Sequence, residues 1–251
     1  TKDNKDAIEK KFKGRYSVEF VKLGKTVEFE ISNVFVYEES FMAVLSYFFD
    51  MNGNIRKEAS GWLKGNILSL DIGDSTTDFV LVQNGKYMNR SGQTYRIGGN
   101  FVTERVASAV SREYGYEVPI ETARQIVAEG RIQAGNGWTD AQKIVDKAKR
   151  DFAKQLRGKI QTYFTQVGIP LQTIRAIVVS GGGSMKGEYH DENGMPHTTS
   201  ESMSKFITDE LKDVCAGVEV LDYGDKPRMA NASGLFIRAM VNESKKQKEN
   251  A

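Results

Sequence analysis

The first 64 residues carry patterns of hydrophobic positions that change from helical to strand-like and back. Ile8 and Phe12 lie one helical turn apart in a charge-rich stretch, which predicts the end of an amphipathic helix. Apolar and polar side chains then alternate over residues 16–21 and 26–31, on either side of Gly24, a pattern typical of a β-hairpin. A chain rarely begins in the last turns of a helix, so this beginning indicates a cut at Thr1.

Two further elements are expected before residue 65. Residues 33–37 (NVFVY) form a short apolar run typical of a strand, and residues 41–49 form a longer apolar run typical of a helix. Residues 50–64 are polar and contain glycine, so we interpret them as a connection.

Two buried strands further along the chain each end in a glycine-containing turn. Residues 67–72 (ILSLDI) run into the turn 73–78, and the strand pattern resumes at 79–82. This arrangement predicts a β-hairpin with carboxylates and hydroxyls at its tip. Residues 173–180 (TIRAIVVS) form the second buried strand, and three consecutive glycines follow it.

Helical patterns separate these strands. Residues 101–114 and 119–133 predict two helices, and residues 139–167 predict a long amphipathic helix with Thr139 and Gln142 as a capping box. The apolar stripe of the long helix indicates core packing rather than a ligand site, and it consists of Ile144, Ala148, Phe152, Leu156, Ile160 and Phe164.

Composition narrows the class of protein. The 251 residues include 35 lysines and arginines against 33 aspartates and glutamates, which gives a net charge of +2. This balance argues against a protein that coats nucleic acid and against an acidic disordered chain. No apolar run approaches the roughly 18 residues of a membrane span. The single cysteine, Cys215, argues against a disulfide framework, so we expect a cytoplasmic protein without direct contact to nucleic acid or membrane.

The chemistry of the first glycine turn suits a phosphate and a magnesium ion. Gly73 allows a close approach, and the hydroxyls of Ser75 and Thr76 can donate to phosphate oxygens together with backbone N–H groups. Asp71 can hold a hydrated Mg²⁺. The alternative is that Asp, Ser and Thr simply form a stable turn.

Glycines mark two more places of close approach. Each residue of Gly181-Gly182-Gly183 costs about 0.5–1 kcal/mol relative to alanine, so their presence after a strand predicts that something flat or anionic approaches the backbone. A flexible turn is the alternative. Gly98-Gly99 stands directly before a helix, whose N-terminus can receive a phosphate or ribose. Neither GxGxxG nor GxxxxGK[ST] occurs, which excludes the dinucleotide fingerprint and the P-loop.

Taken in chain order, these segments resemble the motifs of the actin superfamily of nucleotide-binding proteins, which includes heat-shock chaperones and sugar kinases. Residues 71–78 (DIGDSTTD) resemble its second phosphate loop, and residues 177–185 (IVVSGGGSM) resemble its adenosine motif. Residues 36–45 (VYEESFMAVL) and 227–234 (PRMANASG) resemble the two connecting segments. Because large insertions are lacking, the chain is most similar to the bacterial actin-like plasmid-segregation ATPases of the ParM/StbA type.

The resemblance implies an α/β fold with an actin-like, ribonuclease-H-like mixed sheet flanked by helices. The first phosphate loop of the superfamily, a DxGxxx hairpin, does not occur in the sequence, so the chain resembles the C-terminal portion of such a protein. Three segments are expected: the remainder of a first domain with its connecting helix at 1–64, a second, nucleotide-binding domain at 65–228, and a C-terminal helix at 229–251. A helical subdomain is expected at about 115–140.

The resemblance also implies roles for individual residues. Asp71 would hold Mg²⁺ through water, and Glu39 would orient the attacking water, with an ordinary helix N-terminal carboxylate as the alternative for Glu39. The other implied contacts are Gly73, Asp74, Ser75 and Thr76 at the β- and γ-phosphates, Gly181, Gly182 and Gly183 at the α-phosphate and ribose, Met185 and Lys186 over the adenine, Gly98 and Gly99 on the opposite side of the ribose, and Arg124 and Arg131 on the polar face of helix 119–133.

The function implied is that of an ATPase which binds ATP or GTP with Mg²⁺ and polymerises with copies of itself. Such proteins position plasmid DNA through a separate DNA-binding adaptor protein, which agrees with the near-neutral charge of this chain. Hydrolysis by these residues alone stays open because the first phosphate loop is missing. Two alternatives also stay open: a non-polymerising kinase or chaperone-like ATPase of the same superfamily, and an assembly module without turnover.

Overall fold

The computed structural model describes residues 2–224 and 226–249. The expected cut at Thr1 and the last two residues of the predicted segment 229–251 lie outside the described residues. The chain divides into two compact units, Thr1–Glu38 and Glu39–Ala251. Among the described helices, none combines the length and the apolar character that crossing a membrane requires.

The first unit consists of a helix and a hairpin, as predicted. Its elements are α1 (Lys2–Phe12), β1 (Gly14–Phe20) and β2 (Lys25–Ile31). The strands are antiparallel, with Val18 opposite Val27. A 3₁₀ turn joins them and ends at Gly24, whose φ of +57° lies in the left-handed region that favours glycine.

Residues 33–37 form no strand, so that prediction is wrong. The run has the composition of a strand, but β1 and β2 pair only with each other, and none of the described strands pairs with residues 33–37. Apolar composition does not suffice, because the backbone groups of a strand need a neighbouring strand for their hydrogen bonds.

The second unit contains the remaining elements. In chain order they are α2 (Glu39–Phe48), β3 (Asn66–Ile72), β4 (Thr77–Gln83), β5 (Lys86–Tyr87), β6 (Gln93–Tyr95), α3 (Gly99–Tyr114), α4 (Ile120–Glu129), β7 (Arg131–Ala134), β8 (Gly137–Asp140), α5 (Gln142–Val167), β9 (Ile174–Ser180), β10 (Gly187–His190), β11 (Pro196–Ser200), α6 (Met203–Leu211), β12 (Glu219–Asp222) and α7 (Ala230–Glu249).

A mixed sheet lies at the centre of the second unit. Strands β12, β9 and β3 are parallel neighbours, and β4 pairs antiparallel with β3. Both β5 and β6 pair with β4, so the order runs β12-β9-β3-β4 with β5 and β6 at the far edge. Hairpins β7–β8 and β10–β11 form separate small sheets. The predicted α/β class, a mixed sheet flanked by helices, is confirmed.

Strand β3 shows that the sheet is covered on both faces. Leu68 and Leu70 belong to a core cluster that includes residues of α3 and α5, whereas Ile67 belongs to a second cluster with Val44 and Phe48 of α2. Successive side chains of a strand point to opposite faces, so an uninterrupted apolar strand requires helices on each side. The prediction that the strands at 67–72 and 173–180 are buried is therefore confirmed.

The long helix α5 packs its predicted stripe into the core. Phe152, Leu156 and Ile160 are fully buried, and Ile144 packs against the same cluster at the end of the stripe. The predicted start of this helix and its capping box are wrong, because Thr139 lies in β8. The backbone N–H of Gln142 instead donates to the carboxylate of Asp140 at 2.7 Å.

The helix predicted over residues 119–133 is shorter than expected. Helix α4 ends at Glu129, and Gly130 follows with a φ of +66° and its N–H bonded to the carbonyl of Ile126, a left-handed C-terminal cap. A β-carbon at Gly130 would overlap the side chain of Thr199 in β11. Arg131 consequently lies in β7 and not on a helix face.

Candidate functional site

The predicted site residues collect where two neighbouring strands end. Strands β3 and β9 are parallel, and Asp71 lies opposite Ser180 in their register. The turn 73–76 follows β3 and the glycine turn 181–183 follows β9, so both turns leave the sheet at the same end. Ligands of open α/β sheets bind beyond the carboxyl ends of such strands. Two segments that are distant in sequence thus form one candidate site.

The glycines of the second turn allow the two turns to pack together. Gly181 has a φ of +87°, and a β-carbon there would overlap the carboxylate of Asp71 and the backbone of Ile72. A β-carbon at Gly183 would lie 2.6 Å from Cγ2 of Ile72. The close approach expected from the sequence is therefore, in the first place, the approach of the neighbouring turn.

Gly98 and Gly99 bring the start of α3 against both turns. The N–H of Gly99 donates to the carbonyl of Gly73 at 2.9 Å. A β-carbon at Gly98 would lie 2.6 Å from the carbonyl oxygen of Asp74, and one at Gly99 would lie 3.4 Å from Cα of Gly183. The three glycine-containing segments singled out in the sequence are thus in mutual contact.

A cavity of about 610 Å³ opens beside these turns and is closed on another side by α4. The predicted contact residues that line it are Asp74, Gly99, Arg124, Gly182, Gly183, Met185 and Lys186. Residues that line it without having been predicted are Val102, Thr103, Val127, Ala128, Lys149, Glu188 and Arg228. This volume, with apolar side chains and a few charged groups in its wall, is typical of a site for a small organic ligand.

The other predicted residues lie in the adjoining turns and helix starts. Gly73, Ser75 and Thr76 share the turn of Asp74, and the hydroxyl of Ser75 accepts a hydrogen bond from the side-chain amide of Asn100 at 3.4 Å. The backbone N–H of Gly73 donates to the carbonyl of Thr76 at 2.8 Å and closes this turn.

Arg124 reaches from α4 to the first glycine turn. Its guanidinium lies 3.6 Å from the carboxylate of Asp74 and donates to the side-chain oxygen of Asn100 at 3.1 Å. A second ion pair, with Glu121 at 3.1 Å, holds the same side chain from within α4. Arg124 is therefore fixed across one end of the cavity, with a positive charge beside the turn.

Arg131 is not brought together with these residues, and its predicted place on the helix is wrong. Its guanidinium lies between the rings of Trp138 and Tyr189, 4.0 Å from each ring centre, and pairs with Glu129 at 2.9 Å. It is not among the residues that line the cavity described above. These contacts give Arg131 a role in joining hairpins β7–β8 and β10–β11.

The two predicted catalytic carboxylates lie close together and share a neighbour. The side-chain amide nitrogen of Asn231, at the start of α7, donates to Asp71 at 2.6 Å and to Glu39 at 3.0 Å. Burial raises the pKa of Asp71, the hydrogen bond from Asn231 lowers it, and the charge of Glu39 raises it further. The net direction is upward, so Asp71 holds its proton more readily than an exposed carboxyl group does.

Lys149 is a residue of this site that the sequence analysis missed. It is 2% exposed, and its ammonium donates to the carbonyl of Met185 at 3.1 Å, to the hydroxyl of Ser200 at 2.7 Å and to the carbonyl of Glu201 at 2.7 Å. Burial lowers its pKa to about 8, although the charges of Asp146 and Glu201 act in the opposite direction. The available signal was a charged residue one helical turn from Val145 and from Ala153, in an otherwise apolar row.

The residues present fit a magnesium nucleotide. Val102, Val127 and Ala128 offer apolar surface for a base, and the backbone of Gly182 and Gly183 borders the cavity. Asp71 supplies the oxygen ligand type that Mg²⁺ prefers. Among the described residues there is no group of three or more His, Cys, Asp or Glu side chains that could hold a metal. Magnesium here would therefore take most of its ligands from phosphate oxygens and water.

A family profile described as "Archaeal actin homologue MreB-like, C-terminal" matches residues 69–189, slightly less than half of the chain. Curated protein sequences give no significant match.

Several solved structures share the fold. The actin-like protein Alp7A aligns with a TM-score of 0.73 and 16% identity over 99% of this chain and 64% of its own. The archaeal actin homologue Ta0583, in complex with ADP, aligns with a TM-score of 0.60 and 16% identity over 87% of this chain and 61% of its own. ParM in a 15-stranded filament from Clostridium botulinum aligns with a TM-score of 0.59 and 17% identity over 96% of this chain and 63% of its own.

The chain therefore has an actin-like fold. It spans less than two thirds of the length of each of these structures.

Proposed function

We propose that this chain is the nucleotide-binding part of an actin-like ATPase that assembles into nucleotide-dependent filaments. The observation that carries the proposal is the meeting of Asp71 with the turn 181–183 at the carboxyl ends of neighbouring parallel strands, beside a cavity large enough for a nucleoside. The ADP complex of Ta0583 supports nucleotide binding, and the filament of ParM supports self-assembly.

Different residues at the cavity would contact different parts of the nucleotide. ATP or GTP would place its phosphates along the turn 73–76 and the backbone at Gly182 and Gly183, with Gly98 and Gly99 on the other side. The base would lie against the apolar side chains of α4, with Met185 and Lys186 at the wall. Arg124, fixed beside Asp74, would add positive charge near the phosphates.

The two carboxylates would act on the terminal phosphate. Mg²⁺, held by Asp71 through water, would neutralise the charge of the phosphates. Glu39 would orient the attacking water, and its position beside Asp71 supports this role because phosphoryl transfer depends mainly on positioning.

We further propose that the filaments position plasmid DNA through a separate adaptor protein. This proposal comes from the resemblance to the ParM/StbA type. The net charge of +2 agrees with it, because a protein that neutralises many phosphates directly needs a strongly basic surface. The expected partners are then other copies of this protein and the adaptor protein.

Sedimentation tests the filament proposal. The intact protein should pellet with ATP–Mg²⁺ or GTP–Mg²⁺ above a threshold protein concentration and stay in the supernatant without nucleotide. A protein that forms no sedimentable polymer with either nucleotide at any concentration would overturn the filament proposal. Phosphorylation of a metabolite without polymer formation would favour the kinase alternative.

A nucleotide titration tests the site. Asp71→Ala should abolish the Mg²⁺-dependent part of nucleotide affinity, because the substitution removes the carboxylate that would hold the ion. Asp213→Ala is the matched control, since Asp213 is an exposed carboxylate that lies outside both glycine turns. Equal affinities of the two variants would contradict the proposed role of Asp71.

A further inference from the structure

Asn231 joins the two carboxylates of the site through one amide group. Its nitrogen lies 2.6 Å from Oδ2 of Asp71 and 3.0 Å from Oε1 of Glu39. The three residues come from β3, α2 and α7, so the contact links a strand end and two helix starts.

The chemistry of the three groups fixes the orientation of the amide. An ionised carboxylate only accepts hydrogen bonds, and an amide nitrogen has two hydrogens, so one hydrogen can serve each carboxylate. The amide oxygen of Asn231 is buried and has no hydrogen-bond partner in the part of the chain that the structure describes. A residue kept for stability alone would be expected to satisfy both ends of its amide. The unsatisfied oxygen therefore indicates that the nitrogen is the important end.

A helix crossing holds the amide in place. A β-carbon at Gly234 of α7 would overlap the carbonyl oxygen of Met42 in α2, so the two helices touch at their backbones. Glu39 precedes Met42 by three residues, and Asn231 precedes Gly234 by three residues. Three residues make almost one helical turn, so each side chain lies one turn before the crossing on its helix. The crossing thus sets the distance between Glu39 and Asn231.

We propose that Asn231 is a positioning residue that fixes the spacing of Glu39 and Asp71. Its two hydrogens hold one carboxylate each, and the contact between Met42 and Gly234 holds the two helix starts in register. The inference rests on the proposed function, in which Glu39 orients water and Asp71 holds Mg²⁺.

Steady-state hydrolysis by the intact protein tests the role. Asn231→Ala should lower kcat for ATP–Mg²⁺ or GTP–Mg²⁺ by about 10–100-fold, with KM changed less than about threefold, as expected when a residue orients catalytic groups without contacting the ligand. Ser233→Ala, two residues further along the same helix, is the control and should keep the parent kcat. An unchanged kcat for Asn231→Ala would overturn the proposal, and so would a loss confined to KM.

A double-mutant cycle asks whether Asn231 acts through Glu39. In a Glu39→Gln background, the further change Asn231→Ala should lower kcat by less than about threefold, because groups that act as one unit are not additive. The same 10–100-fold loss in both backgrounds would show that Asn231 does not act through Glu39.

A nuclear magnetic resonance measurement needs no nucleotide. The two side-chain amide protons of Asn231 should each shift when one carboxylate is removed, one in Glu39→Ala and the other in Asp71→Ala. Amide protons that respond to neither variant would overturn the bridge. If the wild-type protein binds no nucleotide, the proposed function fails instead, and the two failures are distinguished because the bridge is observed in the nucleotide-free protein.

Discussion

The ammonium of Lys149 donates a hydrogen bond to the backbone carbonyl of Met185, 3.1 Å away, so a buried charge supports the cavity wall. The same group donates to Ser200 and to the carbonyl of Glu201. One side chain of α5 therefore ties the segment after the glycine turn to the segment before α6.

This arrangement predicts a specific pH dependence of stability. Burial lowers the pKa of Lys149 from 10.5 to about 8. Below pH 8 the lysine is charged in both the folded and the unfolded protein, and the full cost of burying the charge is present. Between about pH 8 and 10.5 only the unfolded chain keeps the proton, so the free energy of unfolding rises with pH, by up to about 3 kcal/mol. Above 10.5 this contribution is constant.

Urea unfolding at several pH values measures this effect. The difference in unfolding free energy between the wild-type protein and Lys149→Met should grow in favour of the wild type between pH 8 and 10.5. Lys154→Met, an exposed lysine on the same helix, should show no such change. A constant difference between wild type and Lys149→Met would contradict the lowered pKa.

Gly181→Ala should destabilise the protein by about 2–4 kcal/mol. The φ of +87° is unfavourable for alanine, and the added β-carbon would overlap Asp71 and the backbone of Ile72. The matched control is Gly158→Ala, at an exposed position in α5 with no atom near the new β-carbon. This control should stabilise the protein by about 0.5–1 kcal/mol because glycine is a poor helix former. Urea unfolding of the two variants should give opposite signs.

Gly98 and Gly99 should differ in their tolerance of alanine although they are adjacent. At Gly98 the new β-carbon would lie 2.6 Å from the backbone oxygen of Asp74, which cannot rotate away, so we expect a loss of about 1–3 kcal/mol. At Gly99 the nearest atom is Cα of Gly183 at 3.4 Å, an ordinary contact distance. Thermal unfolding should therefore give a lower melting temperature for Gly98→Ala than for Gly99→Ala. The reverse order would show that the start of α3 does not pack against the first turn as described.

Arg124→Gln should weaken nucleotide binding more than it weakens the fold. The side chain is 43% exposed and its ion pairs are near solvent, so the free energy of unfolding should change by less than about 1 kcal/mol. Without the guanidinium, the carboxylate of Asp74 would face the phosphates uncompensated, and affinity should fall about tenfold, equivalent to about 1.4 kcal/mol. Titration with ATP–Mg²⁺ checks this, with Arg105→Gln on α3, outside the cavity wall, as the control. Equal affinities of the two variants would argue against phosphates beside Asp74.

The sheet and the glycine turns could be predicted because their signals are local. An apolar run such as 67–72 followed by a glycine turn specifies a buried strand and its end, and the stripe of α5 specifies its core face. Predicting that the glycine turns form one site required the resemblance to the actin superfamily as well as the local sequence, because no local pattern places Gly181 beside Asp71.

The errors and omissions have two kinds of physical cause, one local and one that depends on partners distant in sequence. Arg131 follows a helical pattern, but Gly130 ends the helix one residue earlier. Asn231 and Lys149 owe their roles to partners that are far away in sequence, such as Asp71 for the first and Met185 for the second. A single sequence does not show which polar residues come into contact after folding. The hydrogen bonds of Asn231 and Lys149 are therefore seen only in the structure.

The stack around Arg131 also provides an optical probe. Trp138 is 49% exposed with a cation over its ring, whereas Trp62 packs against Phe48 beneath the sheet, and the chain contains no third tryptophan. Replacing Trp62 with phenylalanine would leave Trp138 of hairpin β7–β8 as the one source of tryptophan fluorescence, although the ten tyrosines would still emit. Emission from this one indole would then report, in solution and without any added dye, whether the hairpin changes its surroundings when nucleotide is added or subunits associate.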